Sequence, residues 1–164
     1  MRVGLLFTLI LTAVVQQGVA MDNIAREVPH ELLLVPGYTV FDWLAYRVDQ
    51  AKVTLVGAVV REQLKRDAES AVRKIEGVES VENDIEVLPD SDNDDKIRMG
   101  VLRTIQGDSR YLISAVQAIH IIEKNGEVTL VGAVPDQLEK QRTEILANHV
   151  MGVKKVTNDL VIQK

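Results

Sequence analysis

A seven-residue segment of this 164-residue chain occurs twice without a single change. Residues 53–59 and residues 128–134 both read VTLVGAV, and the second copy begins 75 residues after the first. The same spacing relates further pairs, namely Gly77 and Gly152, Val81 and Val156, Asn83 and Asn158, and Asp84 and Asp159. Two copies are too few for a solenoid, so the spacing predicts a duplicated small domain.

Each copy has the same predicted order of secondary structure. In the second copy an apolar run at residues 119–122 leads into Lys-Asn-Gly-Glu and then into the β-branched run at Val128. Asn-Gly supplies the positive φ angles of a tight hairpin turn, so this segment predicts a hairpin. A segment with helical spacing follows each hairpin, and a third strand is predicted at residues 80–87 and 155–162. With a short helix upstream of each hairpin, the order is helix, strand, strand, helix, strand.

The first copy departs from this pattern at two places. Residues 49–52 read DQAK where the second copy has its Asn-Gly turn, which predicts a longer or looser first hairpin. In the upstream segment, residues 24–35 carry apolar side chains at helical spacing, but Pro29 lies among them. Proline lacks the N–H group and clashes with the preceding turn, so we expect this helix to break unless it begins at Pro29.

The helix after each hairpin has a predicted apolar stripe. In the first copy the stripe consists of Leu64, Ala68, Ala71, Val72 and Ile75. In the second copy it consists of Leu138, Ile145, Leu146 and Val150. Because Leu138 lies one position away from the 75-residue register, we expect the helix start to have shifted. Each helix is predicted to end at a glycine, Gly77 or Gly152, because a left-handed cap disfavours a Cβ atom.

The first twenty residues have the layout of a signal peptide. Arg2 precedes an uncharged apolar run of about 13 residues, and the segment ends in Gly-Val-Ala. The run is shorter than the roughly 20 residues that span a bilayer, so we expect cleavage and export to the periplasm. The predicted organisation is a signal peptide at residues 1–20, a first domain at 21–89, an acidic linker at 90–95 and a second domain at 96–164. No transmembrane segment is predicted in the mature chain.

Composition and charge exclude several function classes. The chain has no cysteine, which excludes thiol chemistry and disulfide bonds. It has 19 basic and 24 acidic residues, a formal net charge of −5, which opposes nucleic acid as a partner. The same charge opposes general attraction to an anionic membrane, so lipid binding requires a local basic or apolar patch.

These residues resemble the BON domain, named for bacterial osmotic-stress and nodulation proteins. Its pattern is valine-x-leucine-x-glycine-x-valine, a helix, then glycine-valine-x-x-valine-x-asparagine, and both copies carry it. The matching structural residues are Gly57, Gly77 and Asn83 in the first copy, and Gly132, Gly152 and Asn158 in the second. The resemblance implies an α+β fold of two tandem αββαβ modules, each a three-stranded mixed sheet packed on two helices. It also implies an envelope protein that contacts phospholipid or envelope partners, without catalytic residues or a cofactor.

Side chains able to support chemistry are few. His30, His120 and His149 have no second histidine at ligand spacing, so we expect structural roles for them and no metal site. Four linker residues, Asp90, Asp92, Asp94 and Asp95, weakly resemble a calcium loop. The expected glycine and closing glutamate are absent from that segment, which opposes calcium binding. We therefore expect a protein that is not an enzyme.

Basic side chains are the remaining candidates for binding. Lys154 and Lys155 follow the Gly152 turn and are poorly compensated by acidic neighbours, so we consider them candidate contacts for anionic phospholipid, with Lys140 and Arg142 from the preceding helix. The alternative is an interaction or self-assembly module, in which an exposed edge strand pairs with an envelope protein or a second copy. The oligomeric state stays open at this point.

Overall fold

The computed structural model describes residues 23–108 and 119–163, and the predicted signal peptide lies outside these ranges. The first module contains helix α1 (residues 23–33), strands β1 (Trp43–Asp49) and β2 (Lys52–Val59), helix α2 (Glu62–Val72) and strand β3 (Ser80–Val87). The second contains helix α3 (Asp92–Gly107), strands β4 (Ile119–Lys124) and β5 (Glu127–Val134), helix α4 (Gln137–Asn148) and strand β6 (Lys155–Ile162). The predicted α+β fold of two αββαβ modules is confirmed.

Each sheet has three strands and mixed topology. The orders are β1-β2-β3 and β4-β5-β6, with an antiparallel hairpin followed by a parallel third strand. The register repeats with the sequence, since Val53 pairs with Val81 and Val128 pairs with Val156. Helices cover one face of each sheet, and a separate apolar core fills each module. The predicted bounds of both third strands are confirmed.

The stripe predicted for α4 is wrong at two of its positions. Leu138 is 61% exposed and Ile145 is 57% exposed, whereas Thr143 and Ala147 are buried. The helix start has not shifted, because Gln137 lies 75 residues after Glu62, where α2 begins. Asp136 fixes this start, since its carboxylate accepts a hydrogen bond from the N–H of Glu139 at 2.8 Å. Tertiary register, and not the count of apolar residues, therefore decides which face of α4 is buried.

The first hairpin is not longer than the second. Asp49 pairs with Lys52 and Lys124 pairs with Glu127, so both turns contain two residues. Gln50 adopts the positive φ (54°) that Asn125 adopts in the second turn (57°). The chain entering the third strand holds both turns, because the N–H of Glu79 donates to Ala51 O at 2.9 Å and that of Lys154 donates to Gly126 O at 2.8 Å.

Pro29 does not break α1. The helix runs through it from residue 23 to residue 33, with Ile24, Val28 and Leu32 buried in the core. Proline leaves the carbonyl oxygen of Ala25 without its helical N–H donor. The hydroxyl of Tyr46 on β1 donates to that oxygen at 3.0 Å and replaces the missing bond.

Helices α2 and α4 end before Gly77 and Gly152, the glycines at which the sequence predicted their ends. α2 ends at Val72, and Gly77 occupies the third position of a later turn that Val78 N closes on Ile75 O at 3.2 Å. Gly152 has the same place in the turn closed by Val153 N on Val150 O. Their φ angles of 93° and 95° are those that favour glycine at this turn position.

The predicted linker is partly helical. Ser91 caps α3 by accepting a hydrogen bond from the N–H of Asp94 at 3.3 Å, and the helix begins at Asp92. Acidic residues in a first helical turn interact favourably with the helix dipole. The acidic cluster is therefore explained as a helix N-terminus.

The modules pack through a docking segment, residues 38–43. Ile121 N on β4 donates to Val40 O at 2.7 Å, and Phe41 packs against the core of the second module. β4 also crosses one cross-strand row of the first sheet, which consists of Trp43, Ala58 and Glu86. His120 contacts Trp43 at one end of this row, and Lys124 forms an ion pair with Glu86 at the other.

Candidate interaction surface

The repeated asparagines join the edge strand to the helix of each module. Asn158 Nδ2 donates to Lys140 O at 2.8 Å and to Glu144 Oε2 at 3.0 Å, while its Oδ1 accepts from Leu160 N at 3.3 Å. Asn83 makes the same three contacts in the first module, at 3.0, 3.0 and 3.3 Å. Both residues have a structural role in this arrangement.

The same asparagines also close an open sheet edge. Lys155 N and Gln163 N point toward β5, so residues of the other parity, including Leu160, direct their N–H groups away from the sheet. Asn158 accepts the Leu160 N–H, and Lys140 Nζ donates to Leu160 O at 2.6 Å. Satisfied backbone groups make an edge a poorer template for pairing with another strand.

In the first module the Asn83 contact also affects a carboxylate. The hydrogen bond from Asn83, followed by that from Arg73, lowers the pKa of Glu69 below its ordinary value. Arg73 Nη2 donates to the second oxygen of this carboxylate at 2.6 Å. Glu69 is therefore held as an anion that ties α2 to β3.

The strand glycines permit a close backbone approach. A Cβ atom on Gly57 would lie 2.0 Å from the carbonyl oxygen of Trp43, and its φ is 126°. Gly132, at the same position of β5, has a φ of 127°. No L-side chain fits this combination without displacing backbone. The close approach is observed at Gly57, and Gly132 shares its backbone conformation.

The four candidate cations are not equally available. Lys140 binds Leu160 O, and Arg142 is paired with Glu139 at 2.9 Å. Lys154 Nζ donates to Asn125 O at 2.9 Å in the hairpin turn. Lys155 is exposed at the start of β6, and no hydrogen bond or ion pair of its ammonium group occurs among the described residues. Of these four cations, Lys155 has the ammonium group that is most available to bind a ligand.

An exposed methionine lies beside these lysines and was missed by the sequence analysis. Met151 is 94% exposed in the turn after α4. The 75-residue register gives the signal that would have found it, because the equivalent residue in the first module is Glu76. Residue types that both copies share at one position are those the fold requires, and positions at which the copies differ are not constrained by it.

The loops that follow the second helix of each module show the clearest difference between the two copies. The module 1 loop (residues 76–80) reads EGVES, and the module 2 loop (residues 151–155) reads MGVKK. Their backbones match, since both glycines have a φ near 95° and both loops bind the hairpin turn through an N–H at position four. At the three positions where the loops differ, the first module therefore carries two acidic side chains and a serine, and the second carries a methionine and two basic side chains.

The same comparison explains the exposed apolar residues of α4. Leu138 and Ile145 lie on its outer face, where α2 has Gln63 and Ser70. Large exposed apolar side chains that a sister module replaces with polar ones are not needed for folding. A contiguous set of them indicates an interaction surface.

A buried polar cluster supports the second hairpin turn, to which the module 2 loop binds through Lys154 N. Glu123 is buried on the inner face of β4 and accepts a hydrogen bond from Gly126 N at 2.5 Å. Asp94, also buried, accepts from Asn125 N at 3.1 Å, and Arg98 Nη2 donates to Glu123 O at 3.2 Å. The module 1 residue at the position of Glu123 is Val48, so this network belongs to the second module alone.

The structure offers little support for other kinds of site. Across residues 23–108 and 119–163, no three side chains of the metal-ligating types form a cluster. No helix in those ranges is long and apolar enough to cross a bilayer. A cleft of about 410 Å³ lies between the modules. Its lining includes two basic and two acidic residues, whose charges balance. Those lining residues are Arg61, Asp90, Asp95 and Arg98.

The chain matches the sequence pattern of the BON domain twice, at residues 45–89 and 93–164. It belongs to the BON domain family. Over 121 residues it is 31% identical to the osmotically-inducible protein Y of Escherichia coli strain K12, an alignment covering 71% of this chain. The chain spans 60% of the length of that relative.

Solved structures resemble this BON protein only distantly. CdsD, a structural protein of the type III secretion system of Chlamydia trachomatis, matches over 85% of this chain and 91% of its own. The sequence identity is 11% and the TM-score is 0.36. A second structure, the C-terminal domain of CdsD, is 13% identical with a TM-score of 0.33. These values are too low to support any inference about function.

Proposed function

We propose that this BON protein is a non-enzymatic accessory protein of the periplasm that acts in the response to osmotic stress. Its match to an osmotically-inducible protein supports the stress role, and the signal-peptide layout of residues 1–20 supports export. The mass of the protein, measured together with the compartment it is recovered from, tests the proposed periplasmic location. A mature chain that begins at Met21 supports it, and an unprocessed chain recovered from the cytoplasm contradicts it.

We further propose that the second module binds the surface of an anionic phospholipid membrane through its loop. The observation that carries this proposal is the difference between the two loops on one backbone. At residues 76, 79 and 80 the first module has Glu, Glu and Ser, and the second has Met151, Lys154 and Lys155. An exposed apolar side chain flanked by cations suits a layer of anionic headgroups over hydrocarbon.

α4, which precedes this loop, adds two further exposed apolar side chains. Leu138 and Ile145 are seven residues apart and therefore lie on one side of the helix, which ends at Asn148, three residues before Met151. The envelope component bound in this way is phospholipid, and pairing through an edge strand has less support. Asn83 and Asn158 already occupy an outward N–H on β3 and β6.

The loop exchange tests the proposal directly. The triple variant M151E/K154E/K155S gives the second module the loop of the first. We expect the wild-type protein to co-sediment with vesicles containing phosphatidylglycerol more than with phosphatidylcholine vesicles, and more weakly as salt rises. The variant loses four units of positive charge, so its affinity for anionic vesicles falls about tenfold or more, at roughly 1 kcal/mol for each lysine near the surface.

A matched control separates the loop from net charge. The double variant K65E/K74E makes the same change in net charge on α2 and in the segment that follows it in the first module, and leaves binding largely intact. Equal losses in the two variants, or no binding of the wild-type protein to either vesicle, contradict the proposal. A stable oligomer in light scattering without vesicle binding supports the self-assembly alternative instead.

A further inference from the structure

His120 lies at the point where the second module meets the docking segment of the first. Its Nδ1 is 2.6 Å from the carbonyl oxygen of Asp42. The imidazole ring stacks on Tyr38 with a centroid distance of 5.4 Å and meets Trp43 edge-on at 5.1 Å. The first module has Ala45 at the equivalent position, so the fold of a module does not require this ring.

The contact suits a neutral imidazole. The carbonyl of Asp42 accepts the Nδ1 proton, which fixes the tautomer with the proton on Nδ1. Burial lowers the pKa of His120 below its ordinary value, and this effect outweighs the carbonyl oxygens of Asp42 and Thr39 and the charge of Asp42, which act in the opposite direction. A second proton would place a charge in a partly desolvated interface.

Among the described residues, the charged groups around His120 form no ion pair with it. The buried carboxylate of Asp42 already accepts hydrogen bonds from Thr39 N, Thr39 Oγ1 and Val60 N, at 2.9, 2.7 and 2.9 Å. On the strand side, Val131 of β5 is the direct neighbour of His120, and Asp159 of β6 lies one strand further.

The remaining ionisable groups at the interface are distant from the ring or uncharged. Lys124 is four residues along β4 and is paired with Glu86. Tyr38 is neutral, since burial raises the pKa of its hydroxyl. The carboxylates near His120 are thus bonded elsewhere or a strand away, and none forms an ion pair with the ring among the described residues.

We propose that His120 is a pH-sensitive latch between the two modules. As a neutral ring it holds β4 against the docking segment, and as a cation it releases that contact. Undocking returns the ring to water, where it takes up a proton at its ordinary pKa. The docked form is therefore stable at neutral pH and is lost as the pH falls through about 6.5 and below.

The single tryptophan of the chain makes the latch measurable, because it is Trp43 that contacts His120. We expect the emission of Trp43 and the radius of gyration from small-angle scattering to change together as the purified protein is taken from about pH 7.5 to about pH 5. The radius increases as the modules separate. Far-UV circular dichroism stays constant, since each module keeps its own core.

Three variants decide the question. His120→Phe keeps an aromatic ring but cannot take up a proton, so both signals become independent of pH; His120→Asn provides a second non-titrating side chain should the phenylalanine variant misfold. His149→Asn removes an exposed histidine that follows α4 and retains the wild-type transition. A wild-type radius that does not change with pH, or a transition that persists in both His120 variants, overturns the proposal.

Discussion

The hydroxyl of Tyr46 donates a hydrogen bond at 3.0 Å to the carbonyl oxygen of Ala25, the backbone acceptor that Pro29 leaves without a helical donor. A strand side chain thus completes the backbone bonding of a helix 21 residues earlier in the chain. This contact explains how α1 continues through a residue that breaks most helices.

We predict that Tyr46→Phe lowers the free energy of unfolding by about 1 kcal/mol, the usual contribution of one hydrogen bond. Urea denaturation measures this change. In a background carrying Pro29→Ala, the new N–H of residue 29 binds Ala25 O. The same Tyr46 substitution then lowers the free energy of unfolding by clearly less. Equal costs in the two backgrounds would show that the hydroxyl does not substitute for the helical donor.

Gly57→Ala is predicted to be severely destabilising. The added Cβ atom meets backbone at 2.0 Å and the φ of 126° disfavours it, so we expect a loss of about 3 kcal/mol or more, or no folded protein. Gly107→Ala is the control, because a Cβ atom at that helix end has no neighbour within 4 Å. Thermal melting of the two variants distinguishes them, and a similar melting temperature would refute the close-approach argument.

Asn158→Asp tests the link between β6 and α4. The substitution removes the donor to Lys140 O and places a second carboxylate beside Glu144, so we expect a loss of about 2 kcal/mol. Asn93→Asp, on an exposed position in the first turn of α3, is expected to stay within about 0.5 kcal/mol of wild type. Chemical denaturation measures the stability of both variants, and equal stabilities would contradict the structural role of Asn158.

Asn83 has the same role in the first module and gives a separate observable. Because its hydrogen bond is the main cause of the lowered pKa of Glu69, Asn83→Ala moves that pKa upward toward its ordinary value. NMR titration of the Glu69 side chain follows the change. The remaining contact with Arg73 keeps part of the shift, and a titration identical to wild type would contradict the assignment.

Glu123→Gln is predicted to change how stability depends on pH. Burial raises the pKa of Glu123, so the folded protein holds this proton more tightly than the unfolded chain does. The wild type therefore loses stability as the pH rises above about 4.3, and the glutamine variant does not. The advantage of the variant over wild type increases as the pH rises from about 4 through the raised pKa of Glu123 and is constant above it.

Denaturation at several pH values measures the Glu123 effect. Ile122→Val, a neighbouring substitution on β4 without a charge, shifts stability by the same amount at each pH and serves as the control. A constant difference between Glu123→Gln and wild type would contradict the raised pKa. The amide oxygen of glutamine can still accept the hydrogen bond from Gly126 N, which keeps the turn intact.

Local sequence determined the architecture of this protein to a large extent. The 75-residue repeat, the β-branched runs and the Asn-Gly turn were sufficient to predict two αββαβ modules and the bounds of β3 and β6. These features depend on periodicity and turn preferences that act between near neighbours. The repeat also predicted structural roles for Gly57 and Asn83, because both copies carry these residue types at the same position.

Contacts between residues far apart in the sequence decided the remaining features of the structure. Helix α1 passes Pro29 because Tyr46 supplies a donor, and α4 buries Thr143 while exposing Leu138 because its register follows the sheet. The packing of His120 on the docking segment involves residues 78 positions apart, which no local pattern encodes. Likewise, the availability of Lys155 and the occupation of Lys140 depend on which backbone oxygens the fold brings within reach. The sequence alone determined the modules, and only the tertiary structure decided their docking and their exposed surface.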